Sequence, residues 1–354
     1  YREVKQMINI YNRFFIRKEV HGVTLYDLFN DIYVFFEKVD YKKMLTLNDK
    51  EKLNFLKNNI DKISNNITLT FPFRIYWLVE EKCNLNCVYC YANDKMFLRE
   101  TKENIYVILE AIKKLNVINV GLTGGECTIN PYLDLIIDEL GKESIVIIDT
   151  NGTLDTLTNI IPNLKNVNSL VRISIDSLDK KINNLVRPAK NKNIDTLEKI
   201  EENLNNLLNN KINVLIHTVV TKYNFEELDL IAYYLEKKGI KRWHLYDVTY
   251  CEKNKEIYDN IHVNKEELIE KYNCLSNEYK GKINITIEYY DKISESCTVP
   301  MIDSVGNFFL DTICNGIKYV GTDPKSPTLE EYMKELNCVG HAKEYLYLPH
   351  QTGN

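Results

Sequence analysis

Cys83, Cys87 and Cys90 put three soft sulfur donors into eight residues of one stretch, EKCNLNCVYCYAND at 81–94. Cysteine thiolates are the usual protein ligands of iron–sulfur clusters, and four of them saturate a cubane. The C-x3-C-x2-C spacing supplies only three. Three corners held from one loop leave the fourth iron without a protein ligand, and an open iron can bind and activate a small molecule. A zinc site would take two ligand pairs near C-x2-C spacing, and no second pair stands within reach in sequence. Packing is the plain alternative, but Asn84, Asn86, Tyr89 and Tyr91 make this a poor core segment.

Such a loop needs a platform. From Pro72 to about Thr249 strand-like and helix-like runs alternate. The predicted strands are Phe73–Val79, Val117–Thr123, Ser144–Thr150, Ser169–Asp176, Val214–Thr221 and Arg242–Val248. Helical patterns lie between them at Glu103–Leu115, Tyr132–Leu140, Ile194–Leu208 and Phe225–Lys238. The last carries an apolar stripe at Leu228, Ile231 and Leu235, then basic residues and Gly239 where a helix should end. Alternation of this kind implies parallel βαβ units. Six units are too few for a closed eightfold barrel, so the expected fold class is α/β, a partial (β/α)6 TIM-like barrel. Sites in such arrays gather at the C-terminal ends of the strands, and the cysteine loop follows the first strand at once.

The next strand ends are polar too. The second runs into Gly124-Gly125-Glu126, where two glycines allow close backbone approach to a ligand. The third ends at Asn151-Gly152, the fourth at Ser174-Ile175-Asp176, and Arg187 follows in NNLVRP. The fifth ends with Val219 and Thr221. Taken singly, Asn-Gly and Asp-Ser are turn chemistry, Arg187 is a surface arginine before Pro188, and Val219 and Thr221 are strand core and cap. On the sixth strand His244 and Tyr246 share one face opposite Leu245, and the sequence does not say which face points inward.

The cysteine stretch resembles the CxxxCxΦC signature of the radical S-adenosylmethionine (SAM) superfamily, with Tyr89 at the aromatic position. The resemblance covers roughly residues 73–250, with the GGE, TNG and S-x-D segments in register. It implies the same partial barrel, a [4Fe-4S] cluster on Cys83, Cys87 and Cys90, and SAM as second cofactor. By the same resemblance Tyr89, Val219 and Thr221 border the adenine, while Gly124, Gly125 and Glu126 engage the methionine amino group. Asn151, Ser174 and Asp176 then serve ribose hydroxyls and a carboxylate, and Arg187 pairs with the SAM carboxylate through its planar fork. The chain departs from the pattern at Cys127, where the family usually has proline, and ordinary burial is the simpler expectation for that thiol. The implied chemistry is reductive cleavage of SAM to methionine and a 5′-deoxyadenosyl radical that abstracts hydrogen from a substrate. It requires low oxygen and a low-potential electron donor such as ferredoxin or flavodoxin.

Residues 1–70 form an N-terminal extension. Short strands within Arg13–Glu37 break at His21-Gly22 and Asn30-Asp31, and a helical stripe follows at Leu47–Ile63, capped near Asn48. This loosely resembles the winged-helix leader-peptide-binding element of peptide-modifying radical enzymes; the plain alternative is a packing layer under the barrel. Residues 251–354 read as a C-terminal cap, with a helix near Lys265–Tyr279, strands at Ile283–Tyr289, Val299–Asp303 and Asn307–Asp311, and a hairpin turn at 303–307. The cap holds Cys297, Cys314 and Cys338. Three readings stand for them: ligands of a second iron–sulfur cluster, a hydrogen-atom donor to a substrate radical, or inert buried thiols. No C-x2-C follows Cys90, which argues against a full two-cluster cap.

Composition bounds the rest. The chain has 354 residues, 44% apolar and 27% charged, as a globular protein of two or three units would. A net charge of −5 gives no pull toward nucleic acid or anionic membrane, and no apolar run is long enough to span a bilayer. The N-terminus lacks an apolar export segment, and nine cysteines suit reduced thiols in the cytoplasm. The leading expectation is modification of a ribosomally made peptide by epimerisation or crosslinking. The alternatives are tailoring of a small molecule or nucleotide, and a non-catalytic iron–sulfur protein.

Overall fold

The computed structural model describes residues 73–90, 102–250, 254–288, 299–311 and 317–319, together with most of 8–37 and parts of 46–55. Two sheets organise them. The smaller is an antiparallel meander of β1 (Ile8–Ile10), β2 (Phe14–Lys18), β3 (Gly22–Asp27) and β4 (Ile32–Glu37). The β3–β4 ladder closes at Asp27 and Ile32, and Asp31, at the expected break, takes the left-handed conformation at φ 53°.

The larger sheet holds β5 (Arg74–Glu80), β6 (Asn119–Gly124), β7 (Ile145–Thr150), β8 (Ser169–Ser174), β9 (Val214–Val219) and β10 (Arg242–Tyr246). All six pair in parallel with their sequence neighbours, giving the expected barrel arc. Residues read from sequence as part of the C-terminal region lengthen it at both ends. Strand β11 (Asn284–Glu288) adds in parallel beside β10, and β12 (Val299–Ile302) adds in parallel beside β5. Strands β13 (Phe308–Asp311) and β14 (Ile317–Tyr319) continue antiparallel, through the hairpin turn at Asp303–Asn307. Among the described residues β11 and β14 are the two edges, so the arc is open.

Helices α1 (Lys102–Leu115), α2 (Leu133–Leu140), α3 (Thr156–Asn159), α4 (Ile161–Asn166), α5 (Lys180–Val186), α6 (Thr196–Asn209) and α7 (Leu228–Lys237) form the crossovers. Their starts are set locally: Asp179 accepts from the amides of Lys181 and Ile182, and Asp195 from that of Glu198. Helix α8 (Tyr258–Ile261) and helix α9 (Lys265–Glu278) precede β11. Ile75, Trp77, Val120, Leu122, Ile173, Ile216, Trp243 and Leu245 face the helices in one continuous core. The opposite strand face points into the barrel, which places His244 and Tyr246 inside.

The meander closes the barrel from below. Phe15, Tyr26 and Leu28 pack on Phe73, Ile118, Ile145, Ile147, Leu170 and Leu215, at or near the strand starts. Arg242 also donates to the Leu28 carbonyl at 2.9 Å. Asp31 enters the interior and pairs with Arg74, and it lies 3.5 Å from Arg172. Most of the helical stripe at 47–63 lies outside the described residues; helix is seen only within 50–55.

Candidate active site

Strand β5 ends at Glu80, and the cysteine loop runs from there across the mouth of the barrel. Its far side is laced to residues 186–190. Asn86 N donates to Pro188 O at 2.8 Å, Val88 N to Val186 O at 3.0 Å and Lys190 N to Asn84 O at 2.9 Å. All three cysteines are free and half-buried. Burial pushes the Cys87 thiol up to about 12, with Arg187 opposing, and raises Cys83 as well.

The GGE turn is built against the root of this loop. Gly125 N donates to Glu80 O at 2.8 Å and Glu126 N to Lys82 O at 2.9 Å. A Cβ on Gly124 would lie 1.9 Å from Glu80 O, and one on Gly125 would lie 2.5 Å from Glu81 O and Lys82 O. The glycines were expected to admit a ligand; what they admit here is the chain's own backbone at 80–82. Glu126 is buried, and Oε1 accepts from Thr128 N (3.1 Å), Thr128 Oγ1 (2.6 Å) and Thr150 Oγ1 (2.7 Å). Oε2 accepts from Asn151 N at 2.7 Å. The carboxylate therefore pins the end of β7 to the turn after β6. Cys127 is fully buried and donates to Asp149 O at 3.1 Å, as the burial expectation had it.

Asn151 reaches the cysteine loop. Its Nδ2 donates to Asn84 Oδ1 at 2.8 Å and stands 3.8 Å from Cys83 Sγ. Asn84 in turn donates to Thr153 Oγ1 at 2.8 Å. Asp176 lies just beyond β8 and is fully buried; Oδ1 accepts from Val219 N at 2.8 Å and Oδ2 accepts from the Tyr89 hydroxyl. Burial raises the Asp176 carboxyl against the pull of Arg187, and burial, reinforced by Asp176, raises the Tyr89 phenol. Arg187 is 1% exposed, and its terminal nitrogens donate to the carbonyls of Ser174 and Asn151 (3.0 Å for the latter). The surface reading of Arg187 is thus overturned. Ser174 is half-buried and contributes its carbonyl to that contact.

Val219 is half-buried and packs with Val88 and Tyr89 against Val248, Tyr258 and Ile261, an apolar wall beside the loop. Thr221 is fully buried, and its amide and hydroxyl both donate to Asn224 Oδ1, at 2.6 and 2.9 Å. Cys297, Cys314 and Cys338 lie outside the described residues.

Inside the barrel stands a polar column of which only His244 and Tyr246 stood out in sequence. Arg172 grips Asp149 (Nη2 to Oδ2, 2.6 Å) and stands 3.3 Å from the Tyr76 hydroxyl. Above them His217, His244 and Tyr246 pack together, with His244 stacked on Tyr246 at 4.3 Å between centroids and 3.6 Å from Glu288. A signal was present: arginine, tyrosine and histidine recur at alternate positions in otherwise aliphatic strands, RIYWLVE, SLVRIS and VLIHTV.

The loop's donor set can be weighed against a metal directly. Among the described residues no three His, Cys, Asp or Glu side chains gather around one point as a single ion requires. The donors that the loop itself offers are three thiolates, the ligand type that iron–sulfur clusters take at one per iron. Leu85 N, 3.4 Å from Cys83 Sγ, and the Asn151 amide are placed as donors to a thiolate sulfur. Bound iron would also reverse the upward thiol shifts, since a coordinating thiol is deprotonated.

Residues 78–234 match the radical SAM superfamily model, and the chain carries a radical SAM domain. An uncharacterized protein of Methanocaldococcus jannaschii is 29% identical over 286 residues, 76% of this chain and 94% of that protein. An S-adenosylmethionine-dependent nucleotide dehydratase of Flammeovirga pacifica is 26% identical over 258 residues, 69% of this chain and 83% of the relative. Among solved structures, Streptococcus suis SuiB bound to S-adenosylmethionine matches with a TM-score of 0.62 at 16% identity, over 85% of this chain and 82% of SuiB. SuiB has also been solved bound to precursor peptide SuiA. The superfamily's cofactors are a [4Fe-4S] cluster and SAM. No helix among the described residues is long and apolar enough to cross a membrane.

Proposed function

We propose that this protein is a radical SAM enzyme that modifies a ribosomally made peptide. Cys83, Cys87 and Cys90 would hold the cluster, and SAM would bind beside it. The cluster and SAM together supply a carbon-centred radical able to abstract hydrogen from an unreactive C–H bond. The chain's own residues orient these partners. Asn151 and Asn84 fix one flank of the cysteine loop, Tyr89 and Val219 offer an apolar face to the adenine, and the barrel wall excludes water.

One observation carries the peptide reading: the fold shared with SuiB runs past the matched 78–234 core to 85% of the chain. A second reading, action on a nucleotide, is favoured by the 258-residue match to the nucleotide dehydratase. The discriminating assay follows 5′-deoxyadenosine release by anaerobically reconstituted protein. Candidate peptides encoded beside the gene are compared with nucleoside triphosphates. Acceleration by a peptide, with a mass change in it, supports the first reading; acceleration by a nucleotide alone replaces it. The triple variant C83A/C87A/C90A should release none, and retained release would sink the site assignment.

In this reading residues 71–250 with their added strands form the catalytic core, and 1–70 includes the barrel floor. Recognition of a leader peptide by 1–70 is tested by titrating labelled precursor peptide into the full chain. Cys297, Cys314 and Cys338 are tested as ligands by iron counting in C83A/C87A/C90A, where about four residual irons would reveal a second cluster and none would exclude it.

A further inference from the structure

Cys87 and Arg187 stand directly opposite each other in a short antiparallel ladder. The bonds from Asn86 N to Pro188 O and from Val88 N to Val186 O, with the Leu85–Ala189 bridge, set that register. Directly opposed residues of an antiparallel pair project to the same side. Arg187 is 1% exposed, so its charge is not screened by water. Its terminal nitrogens are already committed to Ser174 and Asn151 carbonyls. Its Nε has no partner at hydrogen-bonding geometry and lies 3.6 Å from Asp176 Oδ2. The guanidinium also meets the Cys87 thiol. Asp176 in turn is fixed by Tyr89, two residues beyond Cys87.

We propose that Arg187 is a positioning residue that sets the charge around Cys87, with Asp176 as its counterweight, and so tunes the reduction potential of the metal centre. The inference rests on the cluster reading above. Three thiolates bring negative charge into a buried corner, and one-electron reduction adds more. A fixed guanidinium beside one ligand favours the reduced state, and a carboxylate behind it opposes that effect. This assignment differs from a grip on the SAM carboxylate, because the fork that would make it is turned onto the chain's own carbonyls.

The test is a redox titration of the reconstituted full chain without SAM, followed by electron paramagnetic resonance, for wild type, R187M, R187K and D176N. The midpoint should move to more negative potential in R187M, stay nearer wild type in R187K, and move to more positive potential in D176N. Opposite signs for R187M and D176N are the decisive result, since simple loosening of the loop would move both alike. Equal midpoints, or shifts of the same sign, overturn the proposal. Should R187M fail to fold or bind iron, D176N decides alone: an unchanged or more negative midpoint overturns it. A wild-type protein that takes up no cluster would instead sink the reading on which the proposal rests.

Discussion

Glu126 holds Asn151 by its backbone, Oε2 accepting the amide N–H at 2.7 Å. The same asparagine then reaches Asn84 in the cysteine loop. In Glu126→Gln the amide N–H₂ would face either the Asn151 N–H or the Thr128 N–H, backbone groups that can only donate. The buried mismatch should cost about 1–3 kcal/mol of stability, read by urea unfolding of the apo protein. An unchanged midpoint would show that the carboxylate is not the pin described here.

Gly125 lies under the root of the cysteine loop, and its added Cβ would meet backbone atoms that cannot step aside. Gly125→Ala should leave the circular dichroism of the barrel intact while iron bound after reconstitution falls well below about four per chain. Full iron uptake would mean that the loop has slack the packing does not show.

Asp31 compensates two inward guanidiniums. Burial alone would raise its carboxyl, but Arg74 and Arg172 overcome this and hold it below its ordinary 3.8. Removing one partner of a buried ion pair strands the others, so Asp31→Ala should cost about 3–5 kcal/mol in chemical denaturation. Asp155→Ala, at an exposed pair with Lys199, serves as the control and should stay within about 0.5 kcal/mol.

His217 supplies a pH signature. Burial, and next the field of Arg172, hold its imidazole well below the ordinary 6.5. The unfolded chain therefore takes up a proton below pH 6.5 that the folded chain refuses. Stability conferred by neutral His217 is present above 6.5 and drains away as the pH falls, at up to about 1.4 kcal/mol per pH unit. His217→Gln should flatten that part of the apo protein's stability curve, and an unaltered slope would assign the dependence to another group.

Much of the barrel was legible because Ile145–Ile148 and Leu170–Ile173 are unbroken apolar strand runs but for Arg172, and caps such as Asp195 announce the helices. The segments around Ile285 and Met301 were recognised as strands but assigned to the C-terminal region. Their parallel pairing with β10 and β5 depends on contacts far apart in sequence, which no local pattern encodes. Strands β8 and β9 also stop two residues early. Asp176 takes Val219 N with its side chain and Asn224 takes Thr221 N, and these bonds replace the ladder there. The cysteines were legible by type and spacing alone. The inward turn of Arg187 was not, because nothing near it in sequence reveals which carbonyls will surround it.

The meander under the barrel has a practical consequence for anyone trimming this chain. Starting expression at Pro72 would keep every residue of the matched domain yet uncork its underside. Phe73, Ile118 and Ile145 would meet water, and Arg74 would lose its carboxylate. A minimal version should therefore begin before Ile8, however dispensable those first strands look beside the metal-binding loop.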